Sequence, residues 1–347
     1  ILDFAGQERG ASLRSGLEEW MAKAEGHCAI DYGAHIMVSD VNESSLAEMD
    51  DFVAEGVTTF KLFTAYPDRY LSDDGALLRA FRRTADNGGL VLMHAENGPA
   101  IDVITNALAE SGQREPYAHG LSRPAPLEGE CVNRVIRLAE VAEVPVYVVH
   151  LSSRDALEEV ARGRERGALA FAETCPQYLF LDLSLLDQGW EGAKYVCSPP
   201  LRPADHQEAL WHGLLRDDLQ TVGTDHCPFD FVGQKDRGRD DFRQIPNGLP
   251  GVEERVDLVF QGVVAGRITR ERWVEVISAA PARMFGLAGR KGMVAPGYDA
   301  DIVIYDPDHK HVLSAETHHM NVDYSLSLIH ISEPTRHICL SRMPSSA

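Results

Sequence analysis

The sequence predicts an α/β fold of parallel strands, a (β/α)8 TIM barrel lacking its first strand, with a partial β-sandwich segment beside it. Three observations carry this. Segments with apolar residues at three and four spacing alternate with short β-rich apolar runs. Titratable residues fall at or just past the ends of those runs, where a barrel gathers its functional groups. No G-x-G-x-x-G or P-loop occurs, although a doubly wound sheet usually carries one after its first strand.

In chain order, the stub ILDF reads as the end of a strand. LEEWMAKAEG leads into HCAIDYGAH, and LAEMDDFVAEG into VTTFKLFTAY. LLRAFRRTADNGG leads into LVLMHAEN, and VNRVIRLAEVAEV into PVYVVHLSS. DALEEVARGRERG then precedes ALAFAETCPQY, and HQEALWHGLLRDD precedes LQTVGTDHCPF. Gly or Pro stands near most helix-to-strand junctions, as helix stops require. From about residue 287 the texture changes to Gly and Pro turns around the alternating strand DIVIYD. The expected division is a barrel over 1–286, a partial sandwich segment over 287–325 and a non-native tail over 326–347. LSLIHISEPTR in that tail resembles a translated sequencing-library adapter, so His330, His337 and Cys339 are set aside.

Composition narrows the function classes. With 53 Asp and Glu against 33 Lys and Arg, the net charge is −20, which repels phosphate backbones and argues against nucleic acid. No run approaches the roughly 18 apolar residues of a membrane span. The N-terminal residues carry no basic region or cleavage site of a signal peptide. Six scattered cysteines without a C-x-x-C pair suit reduced thiols in a cytoplasmic setting.

Lys61, His94, His150, Glu173 and Asp225 make up the strand-end set. Two histidines and a carboxylate converging in a barrel mouth suit zinc or another borderline divalent ion, which activates water near neutral pH. Any one of these histidines alone reads as a structural residue; the set together favours function. Lys61 leaves three roles open on physical grounds: a salt bridge, a Schiff base, or a carbamate formed with carbon dioxide.

KLFTAY (61–66), HAEN (94–97), HLSS (150–153), ETCPQYL (173–179), SPPLR (198–202), GTDHCPF (223–229) and NGLPGVE (247–253) occur in one order and spacing. This set resembles the D-hydantoinase and dihydropyrimidinase family of cyclic amidohydrolases, from residue 1 to about 325. The resemblance implies two divalent metal ions, most simply zinc, bridged by a carbamate on Lys61. It implies that His94 and His150 hold the more exposed metal. Asp225 would ligate the buried metal and carry the proton from attacking water to the leaving nitrogen. Tyr66 would donate to the developing oxyanion, and backbone groups at Ser198 and Asn247 would hold the ring amide. The implied reaction opens hydantoins or dihydropyrimidines to N-carbamoyl amino acids, the partner is a small cyclic amide, and the assembly is a homotetramer.

One departure stands out. The family pattern places an H-x-H pair on the first barrel strand, and these 347 residues contain none in that place; the H-x-H they do contain, His309–Lys310–His311, falls after DIVIYD, outside the barrel segment. His35 and the pair His318–His319 have the wrong spacing and element, so His35 is expected to be structural. The start at ILDF fits loss of the sandwich half and first strand that precede it. The chain is therefore expected to hydrolyse poorly or not at all, and to expose apolar sheet edges prone to aggregation. Allantoinase and dihydroorotase share the metal set, and a non-catalytic dihydropyrimidinase-related assembly protein shares the fold. Retention of Lys61, His94, His150 and Asp225 disfavours the scaffold, and the absence of a cysteine-rich shell disfavours a purely structural zinc. His226 is expected to hydrogen-bond around the site. Cys175, Cys197 and Cys227 are expected to be packing residues, Glu173 a supporting residue, and KDRGRDD (235–241) a solvated loop.

Overall fold

Short apolar runs become strands here because they alternate with amphipathic helices whose apolar stripes pack on the sheet. The computed structural model describes residues 1–67, 69–308, 312–326 and 337–340, the last four by backbone alone. Seven parallel strands alternate with helices in sequential order: β1 (Leu2–Gly6), β2 (Gly33–Met37), β3 (Thr59–Phe63), β4 (Leu90–His94), β5 (Val146–Val148), β6 (Ala170–Thr174) and β7 (Thr221–Val222). This is the strand arrangement of a TIM-barrel-like α/β fold. By internal contacts the chain forms two compact units. The first holds residues 1–104, 124–151 and 155–172, and the second holds 105–123, 152–154 and 173–347.

In the first unit β1 to β5 pair in order, and β5 pairs with the first residues of β6. All five residues of β3 are buried, as parallel strands covered on both faces are. Phe60 and Leu62 fill one face, and Thr59, Lys61 and Phe63 lie on the other. The helices begin on ordered caps. Asn42 and Ser45 form a reciprocal capping box at the start of Glu43–Ala54, and Asp73 accepts from the Ala76 amide at the start of Asp74–Asn87.

In the second unit the end of β6 pairs with β7, Glu173 opposite Thr221 and Thr174 opposite Val222. The helices Asp205–Arg216 and Arg255–Val264 meet where Gly262 lies against the Trp211 ring, a position with no room for a side chain. The predicted strand DIVIYD is present as β8 (Ile302–Tyr305), antiparallel to β9 (His337–Leu340), with Ile302, Val303 and Ile304 exposed. Residues 327–336 and 341–347 of the expected tail, His330 among them, lie outside the described residues.

Three local expectations need correction. The strand predicted in HCAIDYGAH begins only at Gly33, because Cys28 and Ile30 are exposed and give the sheet nothing to bury. Lys61 is the third residue of β3 rather than its end. Cys227 is exposed, unlike Cys175 and Cys197, so it is not a packing residue. Among the described residues no helix is long and apolar enough to cross a membrane.

Candidate active site

A lysine in a strand buried on both faces is costly, since desolvation opposes the ammonium. Lys61 is only 6% exposed, and its Nζ lies 4.2 Å from the Phe4 ring centroid and 5.1 Å from that of Phe63. Phe63 stands opposite His94 in the β3–β4 register and packs on its ring at 5.5 Å. His94 is the last residue of β4, and His150 follows β5 by two residues. Their rings meet edge to face, with His94 Nδ1 2.9 Å from His150 Nε2. Both are buried, at 2% and 3% exposure. His150 Nδ1 has no hydrogen-bond partner. Burial above all, then the charges of His94 and Lys61, holds the His150 imidazole well below its ordinary pKa.

Glu96 is the residue that sequence reasoning missed in this unit. Its buried carboxylate accepts from His94 Nε2 at 2.9 Å, which fixes the plane of the ring. The H-x-E pattern within HAEN was the available signal. Tyr66 follows β3 by three residues, and its ring lies 5.3 Å from that of His94. Its carbonyl accepts from the amides of Arg69, Tyr70 and Leu71, so the turn that carries it is tightly closed. The structure thus brings Lys61, Tyr66, His94 and His150 together within the first unit.

Ser198, Asn247 and Asp225 belong to the second unit. Asn247 Nδ2 donates to Ser198 Oγ at 3.1 Å, so those two predicted residues are also brought together. Asp225 follows β7 by three residues. His226 Nδ1 accepts from the Gly251 and Val252 amides at 3.2 and 3.3 Å and thereby ties the NGLPGVE loop to this segment. Glu173 presses its carboxylate against Gly223, where a Cβ would lie 2.7 Å from Oε2. His35 is structural as expected: buried on β2, with Nδ1 2.6 Å from Thr59 Oγ1. His319 pairs with Glu253 through both its amide and its ring.

Backbone conformation singles out the same residues. Five non-glycine residues have positive φ among those described: Tyr66 (61°), Glu143 (57°), His150 (39°), Asp217 (63°) and Asp225 (47°). Glu143 and Asp217 cap helix C-termini, where the left-handed conformation is routine. The other three are predicted site residues, and strain held away from helix ends clusters at functional positions.

The buried imidazole pair suits a divalent metal. Nitrogens of two histidines on one tetrahedral zinc, at 2.0–2.1 Å from the ion, lie about 3.3 Å apart, close to the separation seen here. A carboxylate behind one ligating imidazole is the usual support for such a ligand.

A parallel β/α sheet with titratable side chains gathered at its C-terminal strand ends defines an enzyme of the TIM-barrel-like class. The chain belongs to the amidohydrolase family, whose sequence profile matches residues 17–329. It is 60% identical over 326 residues to a D-hydantoinase of Streptomyces coelicolor, covering 94% of this chain and 70% of that protein. It is 48% identical over 328 residues to a D-hydantoinase of Geobacillus stearothermophilus, with the same shares of each chain. The crystal structure of dihydropyrimidinase from Brevibacillus agri superposes with a TM-score of 0.94 at 43% identity, covering 99% of this chain and 74% of that one.

Proposed function

We propose that the chain hydrolyses the ring amide of hydantoins or dihydropyrimidines, giving N-carbamoyl amino acids. The buried His94–His150 pair at successive strand ends carries this reading, and the names of the relatives support the substrate class. Lys61, His94, His150 and Asp225 would hold two divalent metal ions, with zinc the choice that fits imidazole and carboxylate donors. When bound, such ions polarise the scissile carbonyl and lower the pKa of water toward neutrality. A carbamate on Lys61 turns a buried cation into an anion and so removes the conflict between an ammonium and a metal. A homotetramer in a cytoplasmic setting completes the proposal.

The protein's own groups then divide the chemistry. Backbone groups at Ser198 and Asn247 hold the ring amide. The Tyr66 phenol, fixed by its closed turn, donates to the oxygen as negative charge develops there. The Asp225 carboxylate takes the proton of the attacking water and returns it to the ring nitrogen as the C–N bond breaks. Glu96 keeps the His94 ring in its plane throughout.

The test is to load the chain with zinc, supply hydantoin and dihydrouracil in turn, and follow the N-carbamoyl products by mass spectrometry. Product formation at a slow rate is expected, with loss of bound zinc and of product in His94→Asn and His150→Asn. Absence of both zinc binding and ring opening overturns the reading.

A further inference from the structure

Lys235 contradicts the expectation of a solvated KDRGRDD loop, because its side chain is 0% exposed. Its Nζ donates to two backbone carbonyls, Val196 and Pro246, each at 3.2 Å. Val196 lies two residues before Ser198, and Pro246 lies directly before Asn247. One ammonium therefore bridges the two segments that carry the proposed ring-amide contacts. The Gly248 amide also donates to the Val196 carbonyl, at 3.0 Å, and Asn247 Nδ2 reaches Ser198 Oγ. On the other side of the Val196–Ser198 segment, His119 Nε2 donates to the Cys197 carbonyl at 2.7 Å. The turn at Gly248 has φ 155° and lies against the Cys227 carbonyl with no room for a Cβ, which holds the Asn247 segment against the segment that follows β7.

Burial of an ammonium against carbonyls alone is an expensive way to fill space. It pushes the Lys235 amine down to about 8, even though the neighbouring Cys197 and Cys227 thiols favour its charge. An aliphatic side chain would fill the same volume without that cost. What it could not do is donate in two directions at once and fix the distance between the two carbonyls.

We propose that Lys235 is a positioning residue, whose two hydrogen bonds set the spacing of Ser198 and Asn247 and so govern binding of the substrate ring. This rests on the function proposed above. The test compares wild type with Lys235→Met, both loaded with zinc, in hydantoin kinetics, zinc content and amide hydrogen exchange at Gly248. A rise in KM of about tenfold or more is expected, with kcat changed far less, zinc content unchanged and Gly248 exchange accelerated. A loss confined to kcat or to zinc content, or wild-type KM and wild-type exchange together, overturns it. A wild-type chain that fails to open hydantoin refutes the functional reading instead, and exchange at Gly248 alone then decides whether the clamp exists. Should Lys235→Met not fold, Lys235→Gln is read in the same way, because its shorter amide cannot span both carbonyls.

Discussion

At the residue scale, His35 shows how burial alone sets a pH dependence. Desolvation first, and then the charge of Lys61, lowers its pKa from 6.5 to about 4, with Asp3 opposing weakly. The unfolded chain therefore binds a proton below about pH 6.5 that the folded chain refuses until about pH 4. Stability is fully present above the unfolded value and falls as pH drops through this window, by up to about 3 kcal/mol. Urea unfolding of wild type and His35→Asn at several pH values across the window checks this. The wild-type curve should decline, and the variant should decline less. Lys61, His94 and His150 were legible in the sequence because a titratable residue that ends or interrupts an apolar run is anomalous there. Glu96 and Lys235 were not, since what distinguishes them is a partner that only the folded chain supplies: His94 Nε2 for one, two carbonyls for the other. The left-handed backbone of Tyr66, His150 and Asp225 was equally hidden, because even Asp and His, which adopt a positive φ more often than most residues, do so in only a small minority of cases.

At the scale of elements, helix and strand alternation was readable because two periodicities, 3.6 and 2, leave separate traces. The start of β2 was misplaced because Cys28, Ala29 and Ile30 form an apolar run that the fold leaves outside the sheet. The segment after β7 gives a sharper case. Gly223 admits the Glu173 carboxylate of the neighbouring strand, and Arg255 supports it, donating to the Val222 carbonyl while its charge faces Glu173. A methyl group at 223 would displace the Glu173 carboxylate, the end of a flexible side chain, so the cost lies at the low end of overpacking, about 1 kcal/mol. Gly223→Ala should lower the unfolding free energy by that amount. Gly223→Ala combined with Glu173→Ala should be less destabilised than the two single changes added together, as thermal or urea unfolding of the cycle would show. Strand β8 makes a different prediction. Val303 and Ile304 are exposed on a short strand, so Val303→Lys should reduce light scattering on concentration and leave Tm nearly unchanged.

At the scale of the whole molecule, the sequence disclosed a TIM-barrel-like class through the count and order of its units. The division into two compact units was not legible, because it depends on which distant segments touch. The acidic excess of 20 charges bears on metal loading as well as on partners, since it raises the local concentration of divalent cations while the folded state repels itself. A metal held by His94, His150 and Lys61 gathers ligands from three strands, and the unfolded chain offers no such convergence. Binding to the folded state alone adds RT ln(1 + [L]/Kd), about 2.7 kcal/mol when free metal is a hundredfold above Kd. Tm should therefore climb by several degrees as zinc is titrated, and fall back on addition of a chelator. The same titration of His150→Asn separates specific binding from general neutralisation of the acidic surface. Neutralisation would stabilise wild type and variant alike, and magnesium at equal concentration would reproduce it. A ligand site requires that zinc stabilise wild type well beyond magnesium and that His150→Asn lose the difference.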